Sequence, residues 1–264
     1  VLKNWMIRIS LVFIFVGGLN PALVNAESYG WGYKKGTNHI PPEVGKYGKI
    51  LEENGGYYMD QSGDKVVYLT FDNGYEAGYT EHILDVLKDK KVPATFFVTG
   101  HYVRSAPELI KRMVKDGHLL GNHSNHHADF TSISKEKMKE ELALLDRAVA
   151  SITDVESLQY VRPPKGTFNA RTIQWANELG YTHMFWSLAF VDWHSDKQKG
   201  WKSSYQQVMD QIHPGAVILL HTVSPDNADA VEYFIDDLRK QGYTFRSLDD
   251  LVMKDKLPKP IFGL

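Results

Sequence analysis

Residues 65–100, KVVYLTFDNGYEAGYTEHILDVLKDKKVPATFFVTG, hold one complete strand–helix–strand unit. Val66 to Phe71 is a short apolar run that breaks into the polar Asp72-Asn73-Gly74. Glu81 to Lys90 puts Ile83, Leu84 and Leu87 on one helical face, and Ala94 to Thr99 is apolar again. The same alternation continues to the end of the chain. Helices are expected over 107–116, 135–152, 170–179, 203–211 and 229–241, the first with Pro107 in its opening turn. Strands are expected at 119–120, 160–162, 182–186, 216–220 and 243–246. Gly117, Gly180 and Gly242 each follow an amphipathic run and precede an apolar one, the place where a left-handed residue closes a helix.

Repeated strand–helix units with short connections argue for a parallel sheet covered by helices. About seven of them fit an α/β fold of one domain, a distorted, incomplete (β/α) barrel over residues 65–264. Residues 27–64, with Pro41-Pro42 and Gly55-Gly56, read as an irregular lead packed on that barrel. Residues 1–26 read as a secretory signal peptide. Lys3 and Arg8 precede the apolar run Ile9 to Leu19, and Val24-Asn25-Ala26 offers small residues for cleavage. The run is shorter than the roughly 18 to 20 residues of a spanning helix, so an uncleaved anchor is the lesser alternative.

A net charge of −2 gives no basic footprint for nucleic acid. With no cysteine there is no disulfide framework and no thiolate ligand or nucleophile, so a metal must sit on His, carboxylate or amide groups.

In such barrels the chemistry lies at the C-terminal strand ends. Here those ends carry Asp72-Asn73-Gly74, Gly121-Asn122-His123-Ser124-Asn125-His126-His127, Arg162-Pro163-Pro164-Lys165-Gly166, Asp192-Trp193 and Leu219-Leu220-His221. Each has a plain structural reading: a turn, surface histidines, a helix cap, core packing, a satisfied buried imidazole. His123 and His127 are four apart, a spacing that lets two imidazoles on a helical turn meet one cation, while His123 with His126 is a competing register. Together the strand ends supply what a metal-assisted hydrolase needs: a cation site, a carboxylate base and an acid for the leaving group.

The ordered set Thr70-Phe71-Asp72-Asn73-Gly74, His123-Ser124-x-x-His127, Arg162-Pro163-Pro164-x-Gly166, Asp192-Trp193 and Leu219-x-His221 resembles the motifs of the polysaccharide deacetylases (carbohydrate esterase family 4, NodB-like) over about residues 65 to 250. Gly100-His101, Ala189 to Trp193 and His221 to Ser224 resemble the subgroup of N-acetylmuramic acid deacetylases that act in δ-lactam formation in spore cortex peptidoglycan. The resemblance implies Asp72 as general base, Arg162 orienting it, His221 as general acid and Asp192 tuning His221. It implies a divalent metal ion on Asn73, His123 and His127, and an oxyanion held by a backbone N–H near Lys165. Trp193, Phe190 and Tyr75 are expected to offer apolar faces to the sugar.

The implied partner is a peptidoglycan glycan strand. The mature chain is expected to be a monomer without a membrane span, secreted to the cell envelope or the forespore intermembrane space. Two departures from the family pattern stand out. Asn73 replaces an aspartate, which weakens a zinc-like site because the amide brings no charge. Ala189 replaces an earlier aspartate of the fourth motif. Rival readings are deacetylation of chitin-type N-acetylglucosamine polymers, a non-catalytic glycan-binding module, and a glycoside hydrolase using Asp72 and Asp192.

Overall fold

The structure, a computed structural model, describes residues 27–256; the leader read over 1–26 and residues 257–264 lie outside the described residues. The lead contributes β1 (Tyr29–Gly30) and α1 (Lys46–Asn54). The alternation then runs β2 (Val66–Asn73), α2 (Thr80–Asp89), β3 (Ala94–Val98), α3 (Gly100–Ser105), α4 (Pro107–Lys115), β4 (Leu119–Asn122), α5 (Lys135–Ala150), β5 (Tyr160–Val161), β6 (Thr167–Phe168), α6 (Ala170–Glu178), β7 (Thr182–His183), α7 (Trp201–Gln211), β8 (Val217–His221), α8 (Pro225–Lys240), β9 (Thr244–Phe245) and α9 (Leu248–Lys256).

The seven-stranded sheet has the order β7-β5-β4-β3-β2-β8, with β9 also on β2, and its ladders are parallel. Between β7 and β8 the closure is one short bridge, Leu188 to Ile218, with Leu219 N–H donating to Leu188 O at 2.9 Å. The result is the distorted, incomplete (β/α) barrel that the sequence pattern predicts. Because the strands are parallel, Asp72, Asn122, Val161 and His221 all lie where their strands end, on one face of the barrel.

Strand β2 is buried along nearly its whole length, which accounts for its unbroken apolar text. Ile83, Leu84 and Leu87 of α2 are fully buried, each contributing about 1.5–3 kcal/mol of transfer free energy. A second cluster, Tyr68, Phe97, Tyr160, Met184 and Val217, is closed by Leu248, Leu251 and Val252 of α9.

Two expectations need correction. The lead is not wholly irregular, because α1 buries Leu51 against Trp31, Phe168 and Phe185. The expected strand over 182–186 is regular only at β7; beyond it the chain keeps single bridges at Met184 and Leu188 and then runs into the loop that carries Asp192 and Trp193.

The lead also fixes a loop of the site. Trp31 N–H donates to Gly166 O at 2.8 Å and its Nε1–H to Trp186 O at 2.9 Å. Gly166 has φ +66, and a Cβ there would stand 3.0 Å from the Trp186 ring, so both its backbone and the packed indole call for glycine.

Candidate active site

Asp72 is the last residue but one of β2, in a nearly closed environment, 7 % exposed. Arg162, fully buried, donates from Nη1 to Asp72 Oδ1 at 2.7 Å and from Nη2 to Thr70 Oγ1 at 2.9 Å. Its Nε donates to Met184 O at 3.1 Å, and the guanidinium lies 4.1 Å from the centre of the Phe97 ring. A buried cation persists only when paired and hydrogen-bonded, and Arg162 meets both conditions. Burial alone would raise the Asp72 carboxyl; the charge of Arg162 is the largest opposing influence, and Asp72 is held below its ordinary value. Asp72 is therefore an anion with one oxygen fixed by Arg162 and the other, Oδ2, 3.6 Å from His123 Nε2.

His123 Nδ1 lies 2.9 Å from Arg162 O, which can only accept, so Nδ1 carries the proton and the Nε2 lone pair is free toward Asp72. Burial sets its pKa low and outweighs the raising pull of the Asp72 carboxylate, keeping the ring neutral as a ligand must be. The His127 ring stands 4.9 Å from it, edge to face. The two do not meet on a helical turn, as the four-residue spacing suggested. They sit on a loop in which Ser124 and His127 take left-handed φ of 66 and 57.

Glu141 of α5, 1 % exposed, holds that loop. It accepts from Ser124 Oγ, His126 N and His126 Nδ1, each at 2.8 Å. His126 is thereby turned onto Glu141, and the ring that stands beside His123 is that of His127.

Asn73 is fully buried, with Nδ2 donating to Thr222 Oγ1 at 2.7 Å and Oδ1 without any partner. An orphaned buried amide oxygen beside a neutral imidazole pair is what a divalent cation would satisfy, so the donor set Asn73, His123 and His127 fits a metal. Among the described residues no three His, Cys, Asp or Glu side chains form a ligand set, and a set that includes Asn73 has an amide as its third donor.

On the neighbouring strand β8, His221 is the ladder partner of Asp72. Its Nδ1–H donates to Asp192 Oδ1 at 2.7 Å and its backbone N–H to Asp192 Oδ2 at 2.8 Å. Asn227 of α8 donates to Asp192 Oδ2 at 2.5 Å and to His221 O at 3.2 Å. Burial lowers His221, but the Asp192 carboxylate more than compensates and raises it. Trp193, 46 % exposed, stands edge to face with the His221 ring at 5.3 Å.

The remaining expected residues are less engaged. Phe190 is half-buried and packs against the main core. Tyr75 is 48 % exposed, two residues beyond Asn73. Lys165 is exposed at φ 60 on the loop that Trp31 secures. Glu141 and Asn227 were not singled out from the sequence, and Thr70 and Thr222 stood in the quoted motifs without a role. Only the pairing of α5 with the loop before it could have hinted at Glu141.

A buried base held by arginine, a neutral imidazole pair with a free amide oxygen, and a carboxylate-bound imidazole define a hydrolase site on a NodB-type barrel. The chain belongs to the polysaccharide deacetylase family, carbohydrate esterase family 4, whose members hydrolyse N-acetyl amide bonds; residues 60–184 match the family's Polysaccharide deacetylase profile. It is 45% identical over 260 residues to the peptidoglycan-N-acetylmuramic acid deacetylase PdaA of Bacillus subtilis, covering 97% of this chain and 99% of that one. It is 51% identical over 251 residues to an uncharacterised 30.6 kDa protein of Geobacillus stearothermophilus, covering 95% of each. The solved structure of B. subtilis PdaA superposes with a TM-score of 0.85 at 47% identity, over 88% of this chain and 99% of that one. A family 4 carbohydrate esterase from Bacillus anthracis does so at 0.71 and 47% identity, over 84% and 99%.

Proposed function

We propose that this protein hydrolyses the N-acetyl group of N-acetylmuramic acid in peptidoglycan glycan strands, outside the cytoplasm at the cell envelope, the product going on to muramic δ-lactam in spore cortex. The observation that carries the reaction is the opposition of the Arg162-held Asp72 to the Asp192-held His221 across one ladder position. The choice of sugar is supported by the near full-length similarity to PdaA. Among the described residues no helix is long and apolar enough to cross a membrane.

A divalent cation held by Asn73, His123 and His127 would supply Lewis-acid polarisation of the acetamide carbonyl and make water more acidic. Asp72 Oδ2 takes the proton as water adds to the carbonyl carbon, while Arg162 keeps the carboxylate oriented and ionised. A backbone N–H near Lys165 stabilises the oxyanion. His221, bound through Nδ1 to Asp192, presents Nε2–H to the sugar nitrogen. It protonates that nitrogen as the C–N bond breaks, releasing acetate and the free amine. Trp193 offers its exposed face to the sugar.

The test is acetate release from peptide-free glycan strands, with mass spectrometry locating the new amine and Asp72→Asn as the control. Acetate matched by deacetylated muramic acid, and absent with Asp72→Asn, is the expected result. Deacetylated glucosamine instead would overturn the substrate. No acetate with any divalent metal would overturn the reaction.

A further inference from the structure

Past Trp193 the cleft opens into a cavity of about 550 Å³ that the hydrolytic steps leave unused. Tyr33 of the lead, Phe190 and Trp193 give it aromatic walls, and Lys35, Lys197 and Lys199 give it charge. All three lysines are exposed, and among the described residues none makes an ion pair within 4.0 Å. The carboxylates on the wall are already engaged. Asp192 holds His221 and Asn227, while Asp226 accepts the backbone N–H groups of Lys199 and Gly200 at 2.7 and 2.8 Å.

The loop that carries Lys197 and Lys199 is built rather than loose. Gln198 donates to Asp192 O at 3.1 Å and His194 O at 2.8 Å, and its Oε1 accepts from Ser224 Oγ at 2.7 Å. Asp226 thus secures the loop through its backbone, and among the described residues no carboxylate comes within 4.0 Å of the three ammonium groups. An uncharged N-acetylglucosamine polymer has no use for such a wall. A peptide-free muramic sugar carries a lactyl carboxylate on the ring carbon next to the one bearing the acetamide. Asp192 and Trp193 line both this cavity and the His221 site, so the cavity lies within reach of the ring carbon next to the one whose nitrogen is presented to His221.

We infer that the cavity is a carboxylate subsite, in which the lactyl group of the reacting sugar meets Lys35, Lys197 and Lys199 while the ring rests on Trp193. This rests on the proposed muramic acid substrate and adds how it is told from a neutral sugar. Exposed ammonium–carboxylate pairs are individually weak and salt-sensitive, so the effect belongs to the three together.

The experiment compares peptide-free glycan strands with the same strands whose carboxylates are capped as methylamides, for the wild type and for the triple variant Lys35→Ala/Lys197→Ala/Lys199→Ala. The expected result is a wild-type KM about tenfold higher for the capped strands, converging as ionic strength rises, and a triple variant that treats both alike. Calorimetric titration of Asp72→Asn with both strands reads the same preference without turnover. A triple variant that still prefers the free carboxylate overturns the subsite while leaving the deacetylase intact. Absence of deacetylated muramic acid with the wild type overturns the underlying substrate reading; the titration then still decides whether the lysines select a carboxylate.

Discussion

His221 would be a weak acid catalyst if burial alone set its pKa, since a desolvated imidazole gives up its proton early. Asp192 reverses that, so the protonated form survives to higher pH. In a rate profile the alkaline limb marks loss of the acid. Asp192→Asn removes the raising charge and should move that limb to lower pH. At pH 8 the loss should be on the order of 10²-fold, shrinking below pH 6, as measured by kcat across pH. A limb that stays in place would mean His221 is not the acid. Asn73 gives a second test. Thr222 donating to a carboxylate would suit Asn73→Asp as well as it now suits the amide, because a hydroxyl can reverse its role. The added charge should tighten divalent metal binding on the order of tenfold by calorimetry; no gain would remove residue 73 from the ligand set. These residues were legible in the sequence because each stands at a strand end or in the loop that follows one, in a fixed order. Thr222, Asn227 and Thr70 were not, since their roles arise from partners brought together only by the folded barrel, such as Asn227 with Asp192 35 positions away.

Helix α5 does more than cover the sheet. Its Glu141 is a buried acceptor with three donors, two of them from His126, and it closes a loop that carries two left-handed residues without glycine. Glu141→Gln places an amide N–H₂ among donors, leaving a buried group unsatisfied at about 1–3 kcal/mol. The loop should then release His127 from its place beside His123. Metal affinity and kcat are expected to fall about 10- to 100-fold at temperatures well below the melting midpoint. A variant that melts earlier but binds metal normally would make Glu141 merely structural. Legibility follows the same division between local and distant causes. Helix α2 could be read from the text because Ile83, Leu84 and Leu87 repeat on one face. Helix α1 could not, since it buries only Leu51 and owes its place to Trp31, Phe168 and Phe185. The lone β-bridge at Leu188 is equally invisible, because one paired residue leaves no periodicity.

Across the barrel as a whole, several imidazoles are folded in as neutral groups, and this sets how the protein tolerates acid. His183 is fully buried, with both ring nitrogens unpartnered, and desolvation depresses it to about 3. His118 is depressed to about 4, again by burial first. In the unfolded chain such a group titrates near 6.5, so below that pH the unfolded state binds protons that the folded state refuses. Stability contributed by a depressed histidine is therefore complete above about pH 6.5 and is lost as pH falls toward the folded pKa. Between pH 7.5 and 5 each of these two should remove on the order of 2 kcal/mol. For a chain of this size that is a fall in melting midpoint of roughly 4 to 8 °C per group. His183→Leu deletes one of them and also removes two unsatisfied buried nitrogens, so it should melt higher at pH 7.5 and lose less on going to pH 5. Thermal melts of wild type and variant at the two pH values decide it. Equal pH sensitivity in both would mean that His183 finds a proton partner in the folded protein and that its isolation beside Phe185 is not what makes the barrel acid-sensitive.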